Sequence, residues 1–311
     1  AQAIHVFAVN LRQLLLQRPI GGHTVLGLDP GYRTGCKAAV IDPQGKVLAT
    51  DALFITGSQH QQEIAEQHFL NLVKTFGVTL VSIGNGTASY ETEEFTAKMI
   101  EKHRLPIAYI ITSEAGASVY SASPLAREEL PDLDVSLRGA VSIARRIQDP
   151  LAELVKIEPK AIGVGQYQHD VNQKELNSAL KTVIESCVNH VGVDLNTASP
   201  ALLSFISGIS STVAKNIIAY RNEHGRFRSR KELLKVPRLG PAAFTQCAGF
   251  LRITQGDNPL DNTPVHPESY SLTEKILSLL GCKKESADSL AVQAAAAKAQ
   301  PRSIAEQLQS G

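Results

Sequence analysis

Tryptophan is absent from this 311-residue chain, and aromatic residues make up only 5% of it. That scarcity argues against a binding surface built on stacked aromatic side chains. No apolar run reaches the roughly 20 residues of a membrane-spanning helix. The first residues, Ala-Gln-Ala-Ile-His-Val, lack the basic and then apolar pattern of a secretory signal. Neither a membrane protein nor a secreted one is therefore expected.

Cysteine is also scarce, and its four positions stand far apart with no Cys-x-x-Cys: Cys36, Cys187, Cys247 and Cys282. This spacing favours neither a zinc site nor a disulfide framework, and it predicts a cytoplasmic protein kept in a reducing compartment. Hydrophobic residues make up 43% and charged residues 20% of the chain, which excludes wholesale disorder. At roughly 150 residues per domain, the length predicts about two domains.

Charge of opposite sign is concentrated in two regions, although the net charge is only +1. Residues 24–160 carry 13 basic and 17 acidic side chains, a balance of −4. Residues 187–253 carry nine basic and three acidic side chains, a balance of +6. A basic segment beside an acidic one suggests that residues 187–253 bind a polyanion. The alternative is that these charges form an ordinary solvated face.

The first half of the chain has the hydrophobic patterns of three hairpin strands followed by alternating helices and strands. Helices are predicted at residues 4–17, 59–76, 91–103 and 135–155, and strands at residues 25–28, 36–42, 47–55, 80–84 and 107–111. The first helix is amphipathic, so its apolar face is expected to pack against another part of the protein. This order is typical of the α/β ribonuclease-H-like fold, a mixed sheet with flanking helices.

The second half is predicted to be helical. Pro159–Val171 is Gly-rich and linker-like, and helices dominate from residue 172 to 253, with one more at 268–280. Residues 291–299 are Ala-rich low-complexity sequence, to which no function is assigned. The predicted segments are the end of a helical region (1–22), a ribonuclease-H-like domain (23–160), an all-α domain (161–254) and a helical extension with an Ala-rich tail (255–311).

One short pattern occurs twice in the basic region. Ser207–Ala214 and Pro237–Ala243 each read as a helix, a tight turn around an apolar residue and a second helix. The pair resembles the tandem helix-hairpin-helix DNA-binding module, whose hairpin reads small-Gly-apolar-Gly. Ser210 stands where the first hairpin would have its second Gly, and Arg238 where the second would have its first. The alternative is a helical pair used only for packing.

The physical basis of this module is an exposed backbone. Small residues let the turn approach a phosphate, and the free N–H groups and dipole of the next helix face the anion. Such contacts hold phosphate without reading sequence, so binding is expected to be nonspecific and sensitive to salt. The candidate nucleic-acid-binding residues are Gly208, Ser210, Lys215, Arg230, Arg238 and Gly240.

Three carboxylates of the first domain are candidate metal ligands. Val25–Gly31 followed by Arg33-Thr-Gly35 resembles the first strand of RuvC/YqgF-type nucleases, in which a strand Asp helps to bind a divalent metal. Two-metal hydrolysis needs several converging carboxylates, and Asp29, Glu114 and Asp149 are the candidates here. Asn85 stands where RuvC-type enzymes place a Glu, which puts nuclease activity in doubt. Asp29 alone also fits a strand-end residue that caps a turn.

The two halves together resemble the Tex family of bacterial transcription accessory proteins. The resemblance covers residues 1–280 and is carried by Leu26–Lys37, Ser142–Lys156, Gly163–Asp170 and the hairpin block. It implies a cytosolic RNA- and DNA-binding protein whose YqgF-type domain is not a working nuclease. It also implies a longer N-terminal helical region and a C-terminal OB-fold RNA-binding module. The chain is therefore expected to be truncated at both ends.

Three functions remain open at this point. The favoured one is a nonenzymatic scaffold that binds DNA or RNA through phosphate contacts, acts with the transcription machinery and needs no cofactor. The second is a structure-selective nuclease that uses Mg²⁺ or Mn²⁺ at Asp29, Glu114 and Asp149. The third is a protein-interaction module, which failure to bind nucleic acid at about 50 mM salt would favour.

Overall fold

The computed structural model describes residues 2–283 and Ile304. The chain divides into two compact units, Ala1–Val183 and Ile184–Gly311. The Ala-rich segment 291–299 lies outside the described residues. No helix in the described part of the chain is long and apolar enough to cross a membrane.

The first unit is built on a five-stranded mixed sheet. Its elements are α1 (Gln2–Leu15), β1 (Val25–Asp29), β2 (Cys36–Ile41), β3 (Val47–Leu53), α2 (Gln59–Phe76), β4 (Leu80–Gly84), α3 (Ser89–His103), β5 (Ala108–Thr112), α4 (Ala117–Ala122), α5 (Pro124–Glu129), α6 (Val135–Gln148) and α7 (Pro150–Leu154). The strand order is β3-β2-β1-β4-β5. β2 is antiparallel to both β1 and β3, and β4 is parallel to both β1 and β5. This arrangement confirms the predicted fold class.

Both faces of the central strand β1 are buried. Leu26 and Leu28 point into a core that also holds Phe69 of α2 and Met99 of α3. Val25 points to the opposite face, into the core under α6. Gly27 shares that face, and a Cβ there would lie 2.3 Å from the carbonyl oxygen of Ala140. The glycine therefore lets α6 pack directly on the strand.

The helix predicted at residues 135–155 is in fact two helices. α6 ends at Gln148 and α7 begins at Pro150, with Asp149 between them in an extended conformation (φ −149°, ψ 89°). Proline lacks an N–H and disfavours the helical conformation in the residue before it, so Pro150 ends α6. The apolar pattern continues into α7, which is why the sequence predicted one helix. The side chain of Asp149 caps α7 by accepting a hydrogen bond from the N–H of Ala152 (3.0 Å).

The Gly-rich segment after α7 is not a free linker. Ile162 and Val164 are buried, and the carbonyl of Val164 accepts a hydrogen bond from Nδ2 of Asn10 in α1 (2.8 Å). A Cβ at Gly165 would lie 2.4 Å from the ring of Phe7. The segment and the amphipathic helix α1 therefore pack on each other, which is the contact that the apolar face of α1 required.

The second unit is mainly helical. α8 (Gln173–Val191) runs across the boundary between the units, and the remaining elements are β6 (Val193–Asp194), α9 (Pro200–Leu203), α10 (Ser211–His224), α11 (Pro241–Cys247), β7 (Leu251–Arg252) and α12 (Tyr270–Leu279), with short 3₁₀ turns between them. β6 and β7 pair in parallel. Buried apolar residues fill the interior: Leu202, Ile206, Ile209, Val213, Ala214, Ile217, Leu233, Val236 and Leu239.

Candidate functional site

The carboxyl ends of β1, β4 and β5 meet at one edge of the sheet, because these strands are parallel. Asp29 ends β1, and Glu114 lies two residues beyond β5. The carboxylate of Glu114 occupies space beside two glycines. A Cβ added at Gly84 would lie 2.7 Å from the nearest Glu114 oxygen, and one added at Gly86 would lie 1.7 Å from the nearest one. Asp29 lies against Gly139 of α6 in the same way, at 2.5 Å. Because glycine has no side chain, Gly84, Gly86 and Gly139 leave room for the two carboxylates.

The two carboxylates influence each other. Burial, followed by the negative charge of Glu114, raises the pKa of Asp29 to about 6. The positive charges of Arg146 and Lys37 act in the opposite direction. Within residues 2–283, Oε2 of Glu114 is buried without a hydrogen-bond partner. The structure therefore brings Asp29 and Glu114 together in a partly desolvated site.

The third predicted ligand is not part of this site. Asp149 lies at the junction of α6 and α7, where its carboxylate serves as the helix cap described above. Asn85 follows β4, and its Oδ1 accepts a hydrogen bond from the backbone N–H of Glu114 (3.1 Å). No group of three or more His, Cys, Asp or Glu side chains able to hold a metal ion occurs among the described residues. The residues present do not fit a two-metal centre.

An arginine that the sequence analysis did not single out occupies this edge instead. Arg146 of α6 is 5% exposed, and its Nη1 donates hydrogen bonds to the carbonyls of Ser113 and Ala115 (2.7 Å each), one on either side of Glu114. Its positive charge interacts with Glu114 and Asp29. The pair of carboxylates therefore has a counter-ion within the fold.

The first hairpin of the second unit turns at Gly208 and leads into α10. Gly208 has a φ of +81°, in the left-handed region. Ser210 is the N-cap of α10, and its Oγ accepts a hydrogen bond from the N–H of Val213 (3.3 Å). Serine at the expected glycine position therefore satisfies one of the free N–H groups of the helix. Lys215 is exposed one turn further along α10.

The second hairpin repeats the turn with a different residue. Arg238 occupies the position equivalent to Gly208 and has a φ of +65°, which is uncommon for a residue with a side chain. The Arg238 side chain is exposed. Gly240, equivalent to Ser210, has a φ of −82° and is the N-cap of α11. No atom lies within 4 Å of the position of a Cβ there, so its backbone is open.

Arg230 corrects one expectation about this surface. It is only 1% exposed, and its guanidinium donates to the carbonyls of Leu251, Thr263 and Val265 at 2.6–2.8 Å. Its Nη1 also donates to the hydroxyl of Tyr270 (2.7 Å). A guanidinium that is used in this way cannot reach a phosphate on the surface. Arg230 instead holds residues 251–270 of the second unit together.

Comparison with known families matches both units. Residues 23–148 match the Tex protein YqgF-like domain, residues 188–252 the helix-hairpin-helix motif and residues 258–311 the HHH domain. Protein tex of Bordetella pertussis is 58% identical to this chain over 89% of its length, and Transcriptional accessory protein Tex of Neisseria gonorrhoeae is 58% identical over 90%. The chain contains a Tex-type YqgF-like domain and is similar to these Tex proteins over 89–90% of its length.

The similarity extends beyond bacteria. S1 RNA-binding domain-containing protein 1 of Homo sapiens is 44% identical to this chain over 90% of the chain's length. The chain spans 33% of the human relative and 35–36% of the two bacterial ones. The match at residues 258–311 also covers the segment that the sequence analysis treated as an extension and an Ala-rich tail. That segment belongs to a recognised domain of the helix-hairpin-helix kind.

Proposed function

We propose that this chain is a nucleic-acid-binding part of a Tex-type transcription accessory protein that works in the cytoplasm without catalysing a reaction. The observation that carries the proposal is the pair of exposed hairpin turns at Gly208 and Arg238, in the unit where basic side chains outnumber acidic ones. The backbone at Gly240 is open to a phosphate, and the exposed Lys215 and Arg238 add charge beside the two turns. Binding is then independent of sequence and is weakened by salt.

The transcriptional role is supported by the names of two relatives, Transcriptional accessory protein Tex and Protein tex. Contact with the transcription machinery is part of the proposal. Cytoplasmic location is supported by the cysteines, of which Cys36, Cys187 and Cys247 are buried and none is in a disulfide. A nuclease is not favoured by the carboxylate edge, because Arg146 supplies the positive charge there and Asp149 serves as a helix cap.

The test is a charge reversal of both hairpins, Lys215→Glu with Arg238→Glu. We expect the affinity for duplex DNA and for duplex RNA of any sequence to fall on the order of tenfold at about 50 mM salt. The slope of log K against log salt should become shallower by about 2, because two phosphate contacts are lost. Affinities are measured by fluorescence anisotropy over a series of salt concentrations.

The matched control is Lys46→Glu with Lys74→Glu, which changes the net charge by the same amount at two exposed lysines of the first unit. This control should bind nearly as well as the unaltered chain. Equal losses in the two double variants would show a general charge effect and would contradict the hairpin interface, as would unchanged binding in the hairpin variant.

A further inference from the structure

Three rings of the second unit form a stack that runs from the core to the surface. Phe227 is 2% exposed, Tyr220 is half-buried, and the side chain of His224 is 51% exposed. Tyr220 lies 5.2 Å from Phe227 and 4.2 Å from His224, with interplanar angles of 26° and 14°. Tyr220 therefore stacks with both of the other rings. The stack therefore ends at the surface with His224.

A groove of about 440 Å³ lies beside the outer end of this stack. It is lined by Asn216, Tyr220 and His224 of α10 and by Lys235 and Pro237 of the segment that leads into the second hairpin turn. A volume of this size is typical of small-molecule and cofactor sites, at roughly 300–1,000 Å³. Lys235 is exposed. The groove therefore combines an exposed ring, an amide and a positive charge.

The groove is continuous with the second hairpin. Nδ2 of Asn216 donates a hydrogen bond to the carbonyl of Pro237 (2.8 Å), the residue directly before Arg238. One wall of the groove is thereby fixed to the turn that is proposed to hold phosphate. A nucleic-acid strand held at this hairpin would have its next nucleotide near the groove.

We infer that the groove takes one unpaired base of a single-stranded nucleic acid, which stacks on His224 as the next ring of the series. The inference rests on the proposed function, because the hairpin supplies the phosphate contact beside it. Every base has an apolar face, so such stacking tolerates any sequence. Bases within a duplex are already stacked and paired, so they cannot enter. The groove therefore gives the chain a preference for unpaired strands that the hairpins alone do not provide.

The charges around the groove set the direction of the strand. Lys235 attracts the phosphate of the bound nucleotide. Glu223, which also lines the groove and is largely exposed, repels phosphate and leaves its carboxylate to accept hydrogen bonds from the amino group of a base. The sugar–phosphate backbone therefore runs on the side of Lys235 and the hairpin.

The experiment compares His224→Ala with the unaltered 311-residue chain. The probe is an oligonucleotide of about 12 residues with one 2-aminopurine, whose fluorescence reports stacking, used single-stranded and as a duplex. We expect the single-strand affinity to fall at least about fivefold, which is the lower limit for the loss of one stacked base, with duplex affinity unchanged. His224→Phe, which keeps a flat ring, should restore single-strand binding. His190→Ala, at an exposed histidine of the same unit outside the groove, is the control.

Either of two results overturns the groove site: unchanged single-strand binding in His224→Ala, or equal loss for single strand and duplex. Circular dichroism checks that the variant is folded. The hairpin variant Lys215→Glu with Arg238→Glu separates the two proposals. If the hairpin variant loses duplex binding but His224→Ala keeps its affinity for the single strand, only the groove site is contradicted. If the hairpin variant binds duplex normally, the proposed function fails, whatever the His224 variants show.

Discussion

The two units differ in what surrounds some of their basic side chains. In the first unit Arg138 and Arg146 are only 6% and 5% exposed, and they donate to backbone carbonyls beneath the surface. In the second unit Lys215, Lys235 and Arg238 are exposed. A cation that is surrounded by carbonyls and carboxylates stabilises its own fold, whereas an exposed one is available to a phosphate. The exposed cations beside the two hairpins support the proposed polyanion binding by the second unit.

Arg230 is the exception in the second unit, and removing it should have the largest effect on stability. Arg230→Met would leave the carbonyls of Leu251, Thr263 and Val265 buried without their donor. We expect the free energy of unfolding to fall by about 3–5 kcal/mol, as for other buried charged networks that lose one member. Urea denaturation followed by circular dichroism measures the loss.

The neighbouring Lys231, which is exposed, provides the control. Lys231→Met should change the free energy of unfolding by less than about 0.5 kcal/mol. A small effect of Arg230→Met would mean that buried and exposed cations do not differ in the way that the comparison requires.

The buried charges of the first unit can be tested by the effect of Asp29 on the pH dependence of the free energy of unfolding. Its pKa is raised from 3.8 to about 6, so the folded state binds a proton more tightly than the unfolded state does. The destabilisation by ionised Asp29 is therefore absent below about pH 4, grows between pH 4 and pH 6, and is complete above pH 6. Asp29→Asn should raise the free energy of unfolding by up to about 3 kcal/mol at pH 7.5 and have little effect at pH 4.

Urea denaturation at both pH values measures this difference. Asp132→Asn removes an exposed carboxylate of the same unit and should show no comparable dependence on pH. A stabilisation by Asp29→Asn that is equal at pH 4 and pH 7.5 would contradict the raised pKa, because only the ionised form carries the penalty.

Gly208 should matter for the fold of the first hairpin. With a φ of +81°, an added Cβ would be strained, and it would also lie 2.8 Å from the Cβ of Gln246 and 3.0 Å from the carbonyl oxygen of Ala243. Gly208→Ala should therefore lower the free energy of unfolding by at least about 1 kcal/mol. Thermal denaturation of the chain checks this, and an unchanged melting temperature would refute the strained turn.

Gly240 should matter for binding and not for the fold, and its effect is the smallest. Its φ of −82° suits any residue, and an added Cβ would meet no atom within 4 Å. Gly240→Ala should change the free energy of unfolding by less than about 0.5 kcal/mol. The methyl group would stand where a phosphate approaches the backbone, so nucleic-acid affinity should fall a few-fold in anisotropy measurements. Unchanged affinity would remove this turn from the interface.

The sequence by itself determined the order and type of nearly all the main elements. Short-range patterns fix them: short apolar runs in β1 and β2, the helical period of α2, and the turn residues of each hairpin. Asp29 and Glu114 lie at one edge of the sheet because β1 and β5, which precede or carry them, are both parallel to β4. Two helices, α4 and α5, were missed between β5 and α6, because each has only six residues and shows little periodicity.

Only the tertiary structure decided which charged groups face inward. Nothing adjacent to Arg230 in sequence marks it as buried, because its acceptors lie 21–35 residues away. Arg146 is held in the same way by carbonyls more than 30 residues distant. The stack of Phe227, Tyr220 and His224 was equally hidden in a chain that is poor in aromatic residues. Burial and ring contacts depend on which distant segments meet, and that information is absent from any local pattern.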